Sequence, residues 1–356
     1  MNKRENLLSL LRREGYREVP VNFSLCPALI EQYRKNTKSG LPYEEYFGFS
    51  WDFVDDMRLP PAPSERYEEY YDPPLAERSE IDGWGVGHEY SPNSMHMTYL
   101  RSPMRRMTEL EELEAYPFPD FEHADASHQR AQADAIKSRG LAAAAGMQMT
   151  IWETSWYLRG MEELMMDMMG EDEKAEFLLD RVTGLAELRA QAYARAGVDI
   201  LYLGDDIGMQ RSPMMSVELY RCFLKPRLAR VIAAARRIHP DILIFYHSCG
   251  YVTPFVDDLI DAGVDVLNPI QSESMSFAEI HRQYGDRLSF HGTIGTQSVM
   301  PFGTPAQVKR AVWDNLDIAG ENGGLYVAPT HILEPEVPWE NVIAYVEACR
   351  EYKAGR

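Results

Sequence analysis

From about Leu141 onward the chain alternates short apolar runs with long amphipathic ones, and few folds accommodate that pattern. The apolar runs are LAAAAGM (141–147), VDILYLG (198–204), ILIFY (242–246), VDVLN (264–268), LSF (288–290) and GLYVAP (324–329). Each is continuous rather than alternating, which predicts strands buried on both faces of a parallel sheet. Between them lie stretches with helical spacing, such as EDEKAEFLLDRVTGLAELRAQAYARAG (171–197) and TPAQVKRAVWDNLDIAG (304–320). A further run, VPVNF (19–23), predicts the first strand of the series. Six or more β-α units in this length predict a (β/α)8 TIM-type barrel rather than an open sheet. The absence of a GxGxxG after any strand argues against a dinucleotide fold. The whole chain, 1–356, reads as a single barrel domain. Residues 39–128 are less regular and rich in Pro, Tyr and Asp. They predict a lid or insertion, with a small hairpin in GWGVGHEYSPNSMHMTYL (83–100).

Composition narrows the partners. With 55 acidic against 36 basic residues, the formal charge is −19. Such a surface repels phosphate backbones and anionic lipid, which argues against nucleic-acid and membrane partners. The opening MNKRENLLSLLRREGY is too charged for a signal peptide, and no stretch reaches the ~20 apolar residues of a membrane span. Four scattered cysteines (Cys26, Cys222, Cys249, Cys349) fit no disulfide framework. A cytoplasmic protein with free thiols is expected.

In a barrel, chemistry sits at the carboxyl ends of the strands. Following each strand outward gives Cys26, then Asp205 and Asp206, then His247 and Cys249 in YHSCG, then Gln271, His291, His331 and Glu334. Zinc favours thiolate and imidazole, and catalytic zinc commonly takes three protein ligands with one position open. His247 and Cys249 are two apart at a strand end, so both can face the barrel axis, and His331 can complete the set. By spacing alone, a buried thiol beside a hydrogen-bonded imidazole explains the HxC pair better. Asp205 and Asp206 suit substrate orientation, acid–base work or a metal, and equally a helix cap. The aromatics Trp51, Phe53, Trp84 and Tyr90 either line a pocket or pack the lid. The methionines of MEELMMDMM have the spacing of a packed helix face.

Taken together, these segments resemble the uroporphyrinogen decarboxylase superfamily, including its cobalamin-linked methyltransferase branch. The resemblance runs from KRENLLSLLRREGYREVPVNFSLCP through DGWG, WYLRGMEELMMDM, GVDILYLGDDIGMQRSPMMSVELYRCFLKPR and YHSCGYVTPFVDDLIDAGVDVLNPIQ to YGDRLSFHGTIGTQSVMPFGTP and GGLYVAPTHILEPEVPWENVIAYVEA. It implies a (β/α)8 barrel. The decarboxylases of this superfamily carry an arginine-rich amino-terminal motif, roughly RQAGRYxPEY, where this chain has SLCPALIEQYRKN. The methyltransferases use a His-x-Cys…Cys zinc site. His247 and Cys249 match its first two ligands, and His331 stands where those enzymes have cysteine.

The resemblance thus implies Zn2+ held by His247, Cys249 and His331. It also implies cobalamin carried by a separate corrinoid protein, and methyl transfer from a small methylated compound. Asp205, Asp206 and His291 are then the expected catalytic groups, hydrogen-bonding the substrate or protonating the departing heteroatom. Gln271, Cys26 and Trp84 are the expected substrate contacts. The alternative is a cofactor-free decarboxylase or lyase, in which an aspartate stabilises a cationic intermediate and His331 is the acid. A non-catalytic binding protein is a third reading. Oligomeric state stays open, a homodimer included.

Overall fold

The computed structural model describes residues 1–90 and 98–352. Seven parallel strands form one curled sheet: β1 (Trp51–Val54), β2 (Ala142–Gln148), β3 (Ile200–Gly204), β4 (Leu243–His247), β5 (Val266–Asn268), β6 (Ser289–His291) and β7 (Leu325–Tyr326). They neighbour one another in sequence order, as right-handed β-α units require. The eighth stave is the segment 19–25. The expected strand VPVNF makes no ladder. Leu25 bridges Leu333 once, in parallel, and the Cys26 amide donates to the Leu333 carbonyl at 3.0 Å. Tyrosine hydroxyls hold the rest of the segment, Tyr345 donating to Asn22 O at 3.0 Å. The fold is therefore a TIM-type barrel, with one stave held mainly by side chains.

Two layers of apolar contact build it. The interior of the barrel is aromatic. Trp51, Tyr202, Phe245 and Tyr326 are all buried, with Trp51 packing within 5.5 Å of Phe245 and 5.3 Å of Tyr326. Large rings fill a space that branched aliphatics fill in many barrels. The outer layer is the continuous core between the strands and the surrounding helices.

The amino-terminal mouth is plugged by helix α1 (Lys3–Leu11). Asn2 caps it, its side chain accepting the Glu5 amide while Glu5 reaches back to the Asn2 amide. Leu7, Leu8, Leu10 and Leu11 are buried against the barrel floor. Arg4 forms a forked pair with Asp199, at 2.9 and 2.7 Å, and Asp199 also accepts the Ala143 amide at 3.0 Å. Asp199 retains only 5% of its side-chain exposure. An Asp199→Ala change strands Arg4 and an amide, and urea unfolding should show about 2–4 kcal/mol of lost stability. A loss below about 0.5 kcal/mol would mean that the plug is held by its leucines alone.

The irregular stretch differs from expectation in one respect. Residues 39–128 contain a barrel strand, β1, whose four residues pair with Ala142–Ala145. The rest forms a flank with a three-stranded antiparallel sheet (Glu80–Ile81, Gly87–Tyr90, Thr98–Arg101). The expected hairpin is present on both sides of residues 91–97, which lie outside the described residues. Buried Arg159 ties this flank to the barrel, donating to the carbonyls of Met104 and Met107 at 2.6 and 2.8 Å and pairing with Asp167 at 2.8 Å.

Candidate active site

The strand register sets the site. Gln148 pairs with Gly204, Gly204 with His247, and His247 with Asn268, so one row of residues rings the carboxyl end. Gly204 is required there by its neighbour. A Cβ at 204 would lie 2.5 Å from the Cβ of His247 and 2.7 Å from its carbonyl oxygen. Gly204→Ala should therefore displace His247 and cost about 1–3 kcal/mol. Urea unfolding tests this, and no change would show that the row can shift.

Beyond the row, two adjacent aspartates take opposite directions. Asp205 turns inward. Its carboxylate accepts the Ile151 amide at 3.1 Å and the Glu153 amide at 2.9 Å, capping the helix α2 (Trp152–Arg159). Burial and the neighbouring Glu153 push its carboxyl well above the usual range, against the pull of those amides. It does not line the cavity, so the expected catalytic role for Asp205 becomes a structural one. Asp206 faces the cavity. Its Oδ1 accepts the Cys249 amide at 2.7 Å and lies 3.6 Å from His247 Nε2.

Cys249 Sγ lies 3.5 Å from His247 Nε2. Among the described residues, Asp206, His247 and Cys249 are the one group of His, Cys, Asp or Glu side chains close enough to share an ion. The spacing suits a tetrahedral cation, since Zn–N and Zn–S bonds of about 2.0–2.3 Å place ligand atoms roughly 3.3–3.6 Å apart. Burial, Asp206 and Glu153 push the Cys249 thiol up to about 12. The pocket is thus hostile to a bare thiolate, and a divalent cation is the partner that would stabilise one. The donor set fits zinc. His331, the third ligand expected from sequence, is outside this group and exposed at the rim; Asp206 stands in its place.

Other expected residues are placed differently. His291 is buried, with both ring nitrogens engaged: Nδ1 with the Asn268 amide nitrogen and Nε2 with Asn22 Oδ1 at 3.0 Å. Burial and His247 push it down to about 3, so it stays neutral and is not a ready acid. Gln271 accepts the Gly250 amide at 2.9 Å and braces the turn of YHSCG. Cys26 is buried at the start of the helix Pro27–Thr37. Trp84 packs on Phe121 in the flank. None of these three lines the cavity, because each is spent on local structure.

The cavity measures about 1290 Å³. Trp51, Phe53, Tyr202, Met149, Glu153 and His331 line it around the Asp206–His247 end. It continues along the side where the segment 19–25 leaves β1 unpaired, as far as Lys3 and Arg139. Those are its two lining cations, and Arg139 is paired with Asp52. Of the expected lid stretch 39–128, residues 42–53 contribute to its lining, and no described residue between 54 and 138 does.

One important wall residue escapes strand-end reasoning. Glu153 sits in the first turn of α2, and its Oε2 accepts the Asp206 amide at 3.1 Å while Oε1 accepts the Tyr157 hydroxyl at 3.1 Å. Burial and Asp206 raise its carboxyl to about 7. Its signal was the carboxylate just past the strand in GMQMTIWE, where attention to residues directly abutting strands does not reach.

A family model for uroporphyrinogen decarboxylase matches residues 80–352. The chain belongs to the uroporphyrinogen decarboxylase family. Uroporphyrinogen decarboxylases from three Coxiella burnetii strains are 26% identical over 181 residues, which is 49% of this chain and 46% of theirs. The match thus spans about half the length of these relatives. A methyltransferase from Methanosarcina mazei superposes with a TM-score of 0.68 at 20% identity, covering 99% of each chain. At that identity the likeness establishes the shared fold of this family member. No helix among the described residues is long and apolar enough to cross a membrane.

Proposed function

We propose that this chain is a zinc-dependent methyltransferase. It would move a methyl group from a small O- or N-methylated compound to a corrinoid protein, in the cytoplasm. The observation that carries this reading is the Asp206–His247–Cys249 donor set, which opens onto a cavity with aromatic walls. The full-length likeness to a methyltransferase barrel supports it.

In this reading Asp206, His247 and Cys249 hold the zinc. When bound, zinc supplies a Lewis acid toward the heteroatom that carries the methyl group. Trp51, Phe53 and Tyr202 form the apolar wall against which an apolar or aromatic substrate packs. Glu153 hydrogen-bonds the departing heteroatom and holds a proton at a carboxylate oxygen facing the cavity. His331 and Met149 shape the rim that the corrinoid partner approaches.

A cofactor-free decarboxylase is the competing reading, favoured by the names of the Coxiella relatives. Decarboxylation of a polycarboxylate calls for cationic partners, and of the cavity's lining cations, Lys3 and Arg139, the second is already paired with Asp52. The test is a methyl-transfer assay with cob(I)alamin and a panel of O- and N-methyl compounds, following loss of cob(I)alamin absorbance. Turnover that disappears on zinc removal and returns on zinc addition is expected. Turnover of a carboxylate substrate by metal-free protein would overturn the methyltransferase reading.

A further inference from the structure

Asn268 ends β5 in the same row as His247 and is 2% exposed. Four side chains from different parts of the barrel meet through it. His247 Nδ1 lies 2.6 Å from Asn268 Oδ1, and the Tyr202 hydroxyl donates to that same oxygen. On its other side the Asn268 amide nitrogen meets His291 Nδ1, and His291 Nε2 meets Asn22 Oδ1 at 3.0 Å.

With the Asn22 amide oxygen toward His291 Nε2, these contacts run in one direction. An amide oxygen accepts and cannot donate. Asn22 Oδ1 therefore takes the proton on His291 Nε2, which leaves His291 Nδ1 as a lone pair. That lone pair requires a donor, and the amide nitrogen of Asn268 is the donor within reach. The orientation of the Asn268 amide is fixed in consequence, with its oxygen toward His247. His247 must then carry its hydrogen on Nδ1. In the neutral ring Nε2 is then the lone pair, aimed at the side where Cys249 Sγ and Asp206 Oδ1 lie.

We infer that Asn268 is a positioning residue, which fixes the tautomer and aim of His247 through a one-way hydrogen-bond chain from Asn22 and His291. Neutral histidine in water favours the opposite tautomer, with the proton on Nε2, and that form presents a hydrogen where a metal ligand needs a lone pair. The inference rests on His247 being a metal ligand, as proposed above. Partners of this kind commonly contribute 10–100-fold to metal affinity.

The experiment compares wild type, Asn268→Leu and Asn268→Asp as full chains, with two readouts. The first is zinc affinity by competition with a chromophoric chelator. The second is the 15N chemical shifts of the histidine rings in metal-free protein, which report the tautomer with no metal or turnover. Asn268→Leu is expected to weaken zinc binding about 10–100-fold and to move His247 to the Nε2–H form. Asn268→Asp loses the donor to His291 but keeps an oxygen opposite His247 Nδ1, and should retain the wild-type His247 tautomer and most of the affinity. If Asn268→Leu does not fold, the aspartate variant decides, and an Nε2–H His247 in it overturns the inference. Unchanged affinity and tautomer in folded Asn268→Leu also overturn it, while leaving the methyltransferase reading intact. A wild type with Nδ1–H His247 that binds no zinc would sink the metal reading and leave the orienting role standing.

Discussion

Cys249→Ala is expected to release the zinc and to lower methyl transfer by at least about 10³-fold, with the fold preserved. Elemental analysis of untagged protein should find about one zinc per wild-type chain and essentially none in the variant. The size of the effect follows from the site. His247 and Asp206 alone offer one neutral nitrogen and one carboxylate that is already accepting the Cys249 amide. The sulfur is the strongest of the three donors toward zinc. Its loss leaves a two-ligand site that competes poorly with water and chelators. Alanine keeps the backbone amide that Asp206 accepts, so the turn itself should stand and circular dichroism should be unchanged. Equal zinc in both proteins would show that the ion binds elsewhere. No zinc in either, after incubation with excess, would remove the metal from the function altogether.

Glu153→Gln should lower the rate of methyl transfer about 10²–10³-fold while zinc content stays at the wild-type level. This split separates a group that handles a proton from one that binds the ion. The residue is held at three points, its backbone amide by Asp205 and its side chain at two: Oε2 accepts the Asp206 amide, and Oε1 accepts the Tyr157 hydroxyl. Glutamine reproduces the shape and can still accept one of those bonds, but it cannot release a proton to a leaving heteroatom. The effect should be largest for substrates with the poorest leaving groups, because those need the proton most. Unchanged turnover across a series of leaving groups would assign Glu153 a purely structural place beside Asp206. Loss of zinc with loss of rate would instead place it among the ligands.

Much of the barrel was legible because its strands are continuous apolar runs, and such runs at regular separation admit few alternatives. β1 was hidden because WDFV is only four residues long and lies within a stretch dominated by proline, tyrosine and aspartate. VPVNF read as a strand from its composition, yet its backbone groups are satisfied largely by tyrosine hydroxyls, a tertiary fact with no local signature. At the site, the HxC pair stood out because two metal-loving residue types share one strand end. Which of two adjacent aspartates would face the cavity was not legible. That depends on where the amides of α2 point, and α2 belongs to the preceding β-α unit. His331 was drawn in by its place at the end of the last strand, and the structure puts Asp206 nearer. Asn268 was passed over for Gln271 three residues on. Its importance comes from partners on other strands, 21 and 66 residues away for His247 and Tyr202.

The plug at the barrel floor has a consequence for how the chain acquires its structure. The partners of α1 lie far downstream: Arg4 reaches Asp199 across 195 residues, and Arg13, just past the helix, reaches Ser289 across 276. The Leu10 carbonyl is met by Gly324, in the last β-α unit. During synthesis α1 emerges before the barrel strands it seats against, and it is among the last elements to find its place. Its four leucines stay exposed until nearly the whole barrel exists. Long-range closure of this kind is slow and leaves apolar surface open to chaperones and to other nascent chains. Apolar surface is therefore exposed longest at the floor, which closes only when the last β-α unit is in place.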